Sequence, residues 1–366
     1  MVIVAAESNA STDLSSEQMA MAGDFRSMRQ CTTMRTFSRL GLLLGVSLAP
    51  LAILVSTGCV GDSSTNGQDA APDVATTDAA VDAVDAIVDA PAEAAPPCDT
   101  SKPWGAPVQL TELPSPEAFV NDLSHDELSL IFGRNAPDGG VGASDMYTAT
   151  RNTTSEPFGN VKLLPALNST ADDGSAVLFR DKKTLVFSSS RSAGFDIWLA
   201  TRSSAAVDFS SASMIASVSS GGTEADLALS PDETELWFSS DRGSSGMQLY
   251  VSAINGGSYG AASAVAGLHA TGAEERNPLL SPDGLTLYFS RRVKKDGGSI
   301  DDYEMFSAKR ASPSDAFGTP TPVAELNSAG WEAAEWISDD GCRLYLTRRI
   351  SQPYSAKSYV ASRPVK

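Results

Sequence analysis

Residues 280–292 read LSPDGLTLYFSRR. The Leu-Thr-Leu-Tyr-Phe run is apolar on both faces, as in a strand sandwiched between two neighbours. The Ser-Pro-Asp-Gly before it is turn chemistry: Pro fixes φ, Asp bonds the backbone and Gly permits φ > 0. The stretch recurs as LSHDELSLIFGR at 123–134, LFRDKKTLVFSSSR at 178–191, ALSPDETELWFSSDR at 228–242 and ISDDGCRLYLTRR at 337–349. Copies lie roughly 50 residues apart, the period of propeller blades rather than of helical solenoids.

Each copy carries two further phrases. The first is DMYTATR at 145–151, DIWLATR at 196–202, QLYVSAI at 248–254, EMFSAKR at 304–310 and KSYVASR at 357–363. The second is FGNVKLLPAL at 158–167, FSSASMIASV at 209–218, YGAASAVAGL at 259–268 and FGTPTPVAEL at 317–326. These short runs, rich in β-branched and aromatic residues and bounded by Gly, Pro, Asp and Ser, are strands. The repeat is therefore a four-stranded antiparallel blade: a leads into the Asp turn, b is the Leu-Tyr-Phe run, c is the Asp-Ile-Trp run and d is the aromatic-Gly run. The fifth d phrase is missing at the C-terminal end and present at the front, as WGAPVQLTEL at 104–113. Pairing the two closes the ring and leaves no open sheet edge. The expected fold is all-β, a five-bladed β-propeller closed by an N-terminal strand.

The Ser-Pro-Asp-Gly turn, the Leu-Tyr-Phe-Ser strand and the Asp-Ile-Trp strand resemble the WD40-like repeats of TolB-type propellers across about 104–366. That resemblance implies a β-propeller, with a six-bladed TolB-like ring as the alternative. Two departures stand against carrying over TolB's partners. Five copies are counted here, and an acidic tether replaces the N-terminal α/β domain.

Ahead of the repeats the chain changes character. Residues 34–58, MRTFSRLGLLLGVSLAPLAILVSTG, have a short basic start and an apolar run, the form of a signal peptide. Ser56-Thr57-Gly58-Cys59 resembles the lipobox of bacterial lipoproteins, with Ser56 where an aliphatic residue is usual; the resemblance implies acylation of Cys59. Residues 1–33 read as a non-native extension ahead of an initiating Met34. Residues 59–99 are an Ala/Asp/Pro-rich tether, with eight acids and no Lys or Arg over 60–97. Such a composition favours solvated disorder. The tether carries much of the formal net charge of −18, and that sign argues against nucleic acid as a partner. The propeller is expected over 100–366.

With Cys31 ahead of the signal and Cys59 assigned to lipid, Cys98 and Cys342 remain. Cys98 lies six residues before Trp104, and Cys342 lies in the a–b turn of blade five. The six residues reach roughly 20 Å, and strands a/b and d stand about 10–14 Å apart. A disulfide that staples the closure is therefore expected, in an oxidising compartment.

The d–a loops bring acids to one face: Asp173, Glu224, Glu275 and Glu332, with Ala118 beside Glu117 in blade one. They read either as an acidic binding rim around the channel or as braces to neighbouring arginines. Arg134, Arg191, Arg242, Arg291 and Arg348 follow strand b, and the polar residues opening strand c are their expected partners. Asp301 and Asp302, in long b–c loops expected at 135–144 and 293–302, break the repeat symmetry and join the candidate binding rim. His125 and His269 fall in no nucleophilic arrangement. No metal-binding or phosphate-loop spacing occurs, so no cofactor or metal is expected and no catalytic residue is assigned. The leading expectation is a lipid-anchored envelope protein, at the outer membrane of a Gram-negative cell, with a non-catalytic propeller that binds an envelope protein or glycan. The alternative is a secreted carbohydrate-active enzyme, by analogy with glycosidases on five-bladed propellers.

Overall fold

A computed structural model describes residues 97–111, 113, 118–135, 140–192, 194–243, 246–295, 300–351 and 354–366. The extension, signal, Cys59 and nearly all of the tether lie outside the described residues, as does Glu117. The described residues form strands and turns, with no helix among them.

Strand β1 (Val108–Gln109) stands apart from its neighbours in sequence. Blade one is β2 (Phe119–Leu123), β3 (Ser129–Asn135), β4 (Ser144–Thr150) and β5 (Gly159–Leu163); blade two is β6 (Asp173–Leu178), β7 (Thr184–Ser189), β8 (Asp196–Thr201) and β9 (Ser213–Met214). Blade three is β10 (Glu224–Leu229), β11 (Glu235–Ser240) and β12 (Gln248–Asn255), then β13 (Ser258–Tyr259) and β14 (Ser263–Ala264). Blade four is β15 (Glu275–Leu280), β16 (Thr286–Lys295), β17 (Ile300–Lys309) and β18 (Thr321–Pro322). Blade five is β19 (Trp331–Ile337), β20 (Arg343–Ser351) and β21 (Tyr354–Ser362), completed by β1. Strands β2, β6, β10, β15 and β19 pack against one another in a closed cycle, so strand a of every blade lines the axis. The fold is a five-bladed propeller with four-stranded antiparallel blades.

The closure is as expected, and side chains specify it. Val108 and Gln109 pair with Val360 and Tyr359. In blades one, two and four an arginine ending strand c lies over a strand-d aromatic: Arg151 over Phe158, Arg202 over Phe209 and Arg310 over Phe317. Each also donates from Nε to a carbonyl of its own a–b turn. In blade five Arg363 lies over Trp104, 4.0 Å from the ring centroid, and donates to Gly341 O. Trp104 thus fills the strand-d aromatic site of the last blade. Behind it Cys98 bonds Cys342, with 5.7 Å between Cα atoms.

Turn and core chemistry repeat in step. The a–b turns place Glu127, Lys182, Glu233, Gly284 and Gly341 at φ of 54–68°. Serine and aspartate two residues apart close four of these turns, as in Ser281 to Asp283. Phe132, Phe187, Phe238, Phe289 and Leu346 hold one strand-b position and are fully buried between blades. Burial of each contributes about 1.5–3 kcal/mol.

One expectation needs correction. Residues 293–295 and 300–302 are strand and not loop: β16 and β17 stay paired out to Lys295↔Ile300. The b–c hairpin of blade five runs likewise to Ser351↔Tyr354. In blades two and three the pairing stops at Ser189↔Asp196 and Ser240↔Gln248. Blades four and five therefore extend farther on the b–c face.

Candidate binding mouth and central channel

The predicted acids occupy equivalent places. Asp173, Glu224, Glu275 and Glu332 are essentially inaccessible to solvent. Their partners are the predicted arginines: Arg191–Asp173 at 2.6 Å, Arg242–Glu224 at 3.1 Å, Arg291–Glu275 at 3.0 Å and Arg348–Glu332 at 3.6 Å. Each arginine also donates to a carbonyl at the end of strand d: Leu167, Val218, Leu268 or Leu326. A side chain ahead of each acid completes the unit, Ser169, Ser220 and Ser328 in three blades and His269 in blade four. Of the two readings left open by the sequence, the acidic rim gives way to internal braces to neighbouring arginines. The partners of these arginines are thus acids of strand a and not, as expected, the polar residues that open strand c across the b–c loop. Asp302 is buried in β17, with Oδ1 accepting from Tyr303 N, and Asp301 lies in the same strand. Neither sits on a loop.

Sequence reading missed the channel lining, which lies at a β-bulge in every strand a. The ladder skips at Asn121, Ser175, Asp226, Asn277 and Glu335. Ser175, Asp226 and Asn277 are left-handed, with φ of 49–56°. Bulges re-aim side chains, and here all five turn a polar side chain to the axis. They line a cavity of about 20 Å³ together with Leu227, Pro278 and Ala334. That volume suits about one water molecule. Asn121 Nδ2 and Asn277 Oδ1 are buried there without a hydrogen-bond partner among the described residues.

Two carboxyls are strongly perturbed by the channel. Burial pushes Glu335 up to about 8, against the pull of Arg349, and Asp226 adds to the rise. Glu335 is half-buried and lines two small axial cavities. Burial likewise pushes Asp122 up to about 8, although its carboxyl accepts from Leu178 N at 2.6 Å and Leu123 N at 2.9 Å.

The two ends of the channel differ. At the a–b end Arg180 and His125 both reach Asp339, and Arg180 N donates to Glu233. These contacts join blades one, two, three and five around a cavity of about 80 Å³. At the b–c end, Trp331 opens β19 opposite Arg349. Tyr303 stacks on its ring with centroids 4.6 Å apart. The guanidiniums of Arg349 and Arg276 lie 4.7 and 5.7 Å from the ring centroid. Arg276 Nε is 3.3 Å from Asp226 Oδ2, and that charge raises the Arg276 pKa. Arg292 and Tyr303 both bond Glu274. No spacing rule marks this cluster, because its members come from blades three, four and five.

A cleft of about 900 Å³ lies at the seam between blades four and five. Trp104 and Tyr288 form part of its wall, joined by a 3.3 Å hydrogen bond from Trp104 Nε1. Its lysines, arginines and acids alternate without a preferred sign.

No family model matches the chain, and no curated protein matches it in sequence. Similar solved structures include TolB from Acinetobacter baumannii, at 14% identity and a TM-score of 0.40, over 68% of this chain and 55% of that one. Another is a putative TolB from Agrobacterium tumefaciens, at 18% identity and a TM-score of 0.40, over 66% and 73%. A third is a GH62 hydrolase in complex with xylotriose, at 11% identity and a TM-score of 0.42, over 72% and 98%. The chain thus spans about half the length of the Acinetobacter protein. At such identities the likeness is one of fold.

Proposed function

We propose that this chain is a lipid-anchored protein of the Gram-negative envelope, held at Cys59, whose propeller is a non-catalytic module binding an envelope protein or glycan. The observation that carries the binding role is the b–c mouth. A Trp331–Tyr303 stack flanked by Arg276 and Arg349 stands beside the two extended hairpins, where the repeat symmetry breaks. Irregular features on a regular scaffold are where binding concentrates. The anchor rests on the lipobox-like Ser56–Cys59 segment.

Two measurements test this. Cys59→Ala is expected to move the full chain from the membrane to the soluble fraction; retention with an unchanged fatty-acid label defeats the anchor. A glycan and envelope-protein binding panel is expected to give binding that Trp331→Ala removes, without turnover.

One observation favours the enzymatic reading. Asp226 faces Arg276, while Glu335 is held protonated to about pH 8, and the two share one cavity. Carboxyls in opposed environments are the pattern of acid–base pairs. Against it, ligand pockets occupy about 300–1,000 Å³, and the shared cavity is about 20 Å³. Glycan turnover lost in Glu335→Gln would reverse the ranking.

A further inference from the structure

The seam cleft between blades four and five, at about 900 Å³, falls within the roughly 300–1,000 Å³ of ligand pockets. Tyr288 stands in its wall, 4% exposed. Its Oη accepts from Trp104 Nε1 at 3.3 Å and from Arg363 Nη2 at 3.2 Å. Blades one, two and four carry phenylalanine at the strand-d site of Trp104, so the indole donor comes with the closing strand. With two hydrogen bonds accepted, the remaining capacity of the phenol is its own hydrogen. No acceptor for that hydrogen stands among the described residues. A buried donor without an acceptor is destabilising, and a ligand oxygen in the cleft would satisfy it.

The rest of the wall narrows the ligand class. Lys102 and Lys309 bring exposed ammonium donors to the cleft, and Asp283 and Glu325 bring exposed carboxylates. Asp283 Oδ1 closes its own turn and Glu325 Oε1 accepts from Trp104 N, which leaves the second oxygen of each for a ligand. Over the whole lining, four basic and four acidic side chains balance. A ligand with net charge is therefore repelled as much as attracted. A hydroxyl suits both kinds of partner, because it accepts from an ammonium or a phenol and donates to a carboxylate. A sugar ring presents several such groups side by side. We infer that the seam between blades four and five is a binding cleft for a neutral oligosaccharide, with Tyr288 Oη, Lys102 and Lys309 as donors and Asp283 and Glu325 as acceptors. The site goes beyond the b–c mouth. It opens beside the a–b turns at Asp283 and Gly341, and none of the Trp331 cluster lines it.

The test is calorimetric titration of the detergent-solubilised full chain with three neutral tetrasaccharides: cellotetraose, xylotetraose and tetra-N-acetylchitotetraose. Tetragalacturonate is the charged counterpart, and a Lys-Glu-Lys-Glu peptide is the charge-balanced ligand that is not a sugar. At least one neutral tetrasaccharide is expected to bind, more tightly than either counterpart. Tyr288→Phe is expected to weaken that binding roughly threefold to tenfold, the range of one lost hydrogen bond. Glu325→Gln and Lys309→Gln, at exposed positions, are expected to weaken it as well and give the reading should Tyr288→Phe fail to fold. Trp331→Ala is expected to leave it unchanged. Absence of binding by all three neutral sugars, or equal or tighter binding of tetragalacturonate or the peptide, overturns the inference. Unchanged affinity in the folded seam variants overturns it too. Binding lost in Trp331→Ala and kept in the seam variants assigns the sugar to the b–c mouth and overturns the seam.

Discussion

Arg180 of blade two donates to both carboxylate oxygens of Asp339 in blade five, at 2.9 and 3.1 Å, joining blades that are not neighbours in the ring. The pair crosses the a–b mouth of the channel. Both side chains are more than two-fifths exposed, so its worth is that of a surface ion pair, about 0–1 kcal/mol. Arg180→Ala is expected to lower the melting temperature slightly at low salt and hardly at all at 1 M salt. A large loss at both would show that the latch holds the ring together.

The braces should behave differently. Glu224 is fully buried, and Arg242 depends on it. Removing one partner of a buried pair costs about 3–5 kcal/mol. Glu224→Ala should therefore destabilise far more than Arg180→Ala, as read by denaturant midpoints. Equal midpoints for the two variants would refute the assignment of the acids as braces.

The Cys98–Cys342 bridge spans 244 residues of sequence. The chain-entropy model gives about 5 kcal/mol for a loop of that order, with native strain able to reduce it. Cys98→Ser with Cys342→Ser is expected to lower stability by several kcal/mol on this scale, and reductant should no longer affect the double variant. Removing residues 97–111 should do more, because it takes both the bridge and Trp104 from blade five. The expected readout is loss of a single cooperative transition; a truncated chain that melts like the parent contradicts closure by β1.

Stability should depend on pH with an unusual sign. Glu335 is raised from 4.5 to about 8 and Asp122 from 3.8 to about 8, so the folded state holds protons that the unfolded chain has released. Stability from these groups is fully present below their unfolded values and is lost as pH rises through the interval up to about 8. At about 1.4 kcal/mol per pH unit for each group, the fall across pH 5 to 8 is at most about 4 kcal/mol per group. Melting midpoints of Glu335→Gln and Asp122→Asn should each show a flatter profile. A wild-type midpoint that climbs from pH 5 to 8 sinks the assignment.

What could be read from the chain follows from what repeats. The b strand with its turn returns five times, so blade count, strand order and the role of 104–113 were legible. The Cys98–Cys342 reach followed from that topology. The Arg191–Asp173 type of brace was half legible, because alignment finds both residues but not which strand they face. In blades two and three the strand-b position opposite the acid is Ser189 or Ser240, and the arginine returns from two residues farther on. The channel residues stayed hidden, because a bulge inverts the alternation on which face assignment depends. Asp226 and Asn277 point to the axis only because their φ is positive. The mouth at Trp331 was invisible for another reason: Arg276, Tyr303 and Arg349 meet only once the ring has closed.

The bridge at Cys98 also sets how the molecule would bear load. Any pull arriving along the chain from the N-terminal side reaches Cys98 before it reaches β1. Strand β1 has only two residues and would unzip readily under tension. The covalent bond to Cys342 diverts the force into the a–b turn of blade five, beside β19 and β20 in the body of the sheet. A two-residue strand is thereby mechanically bypassed.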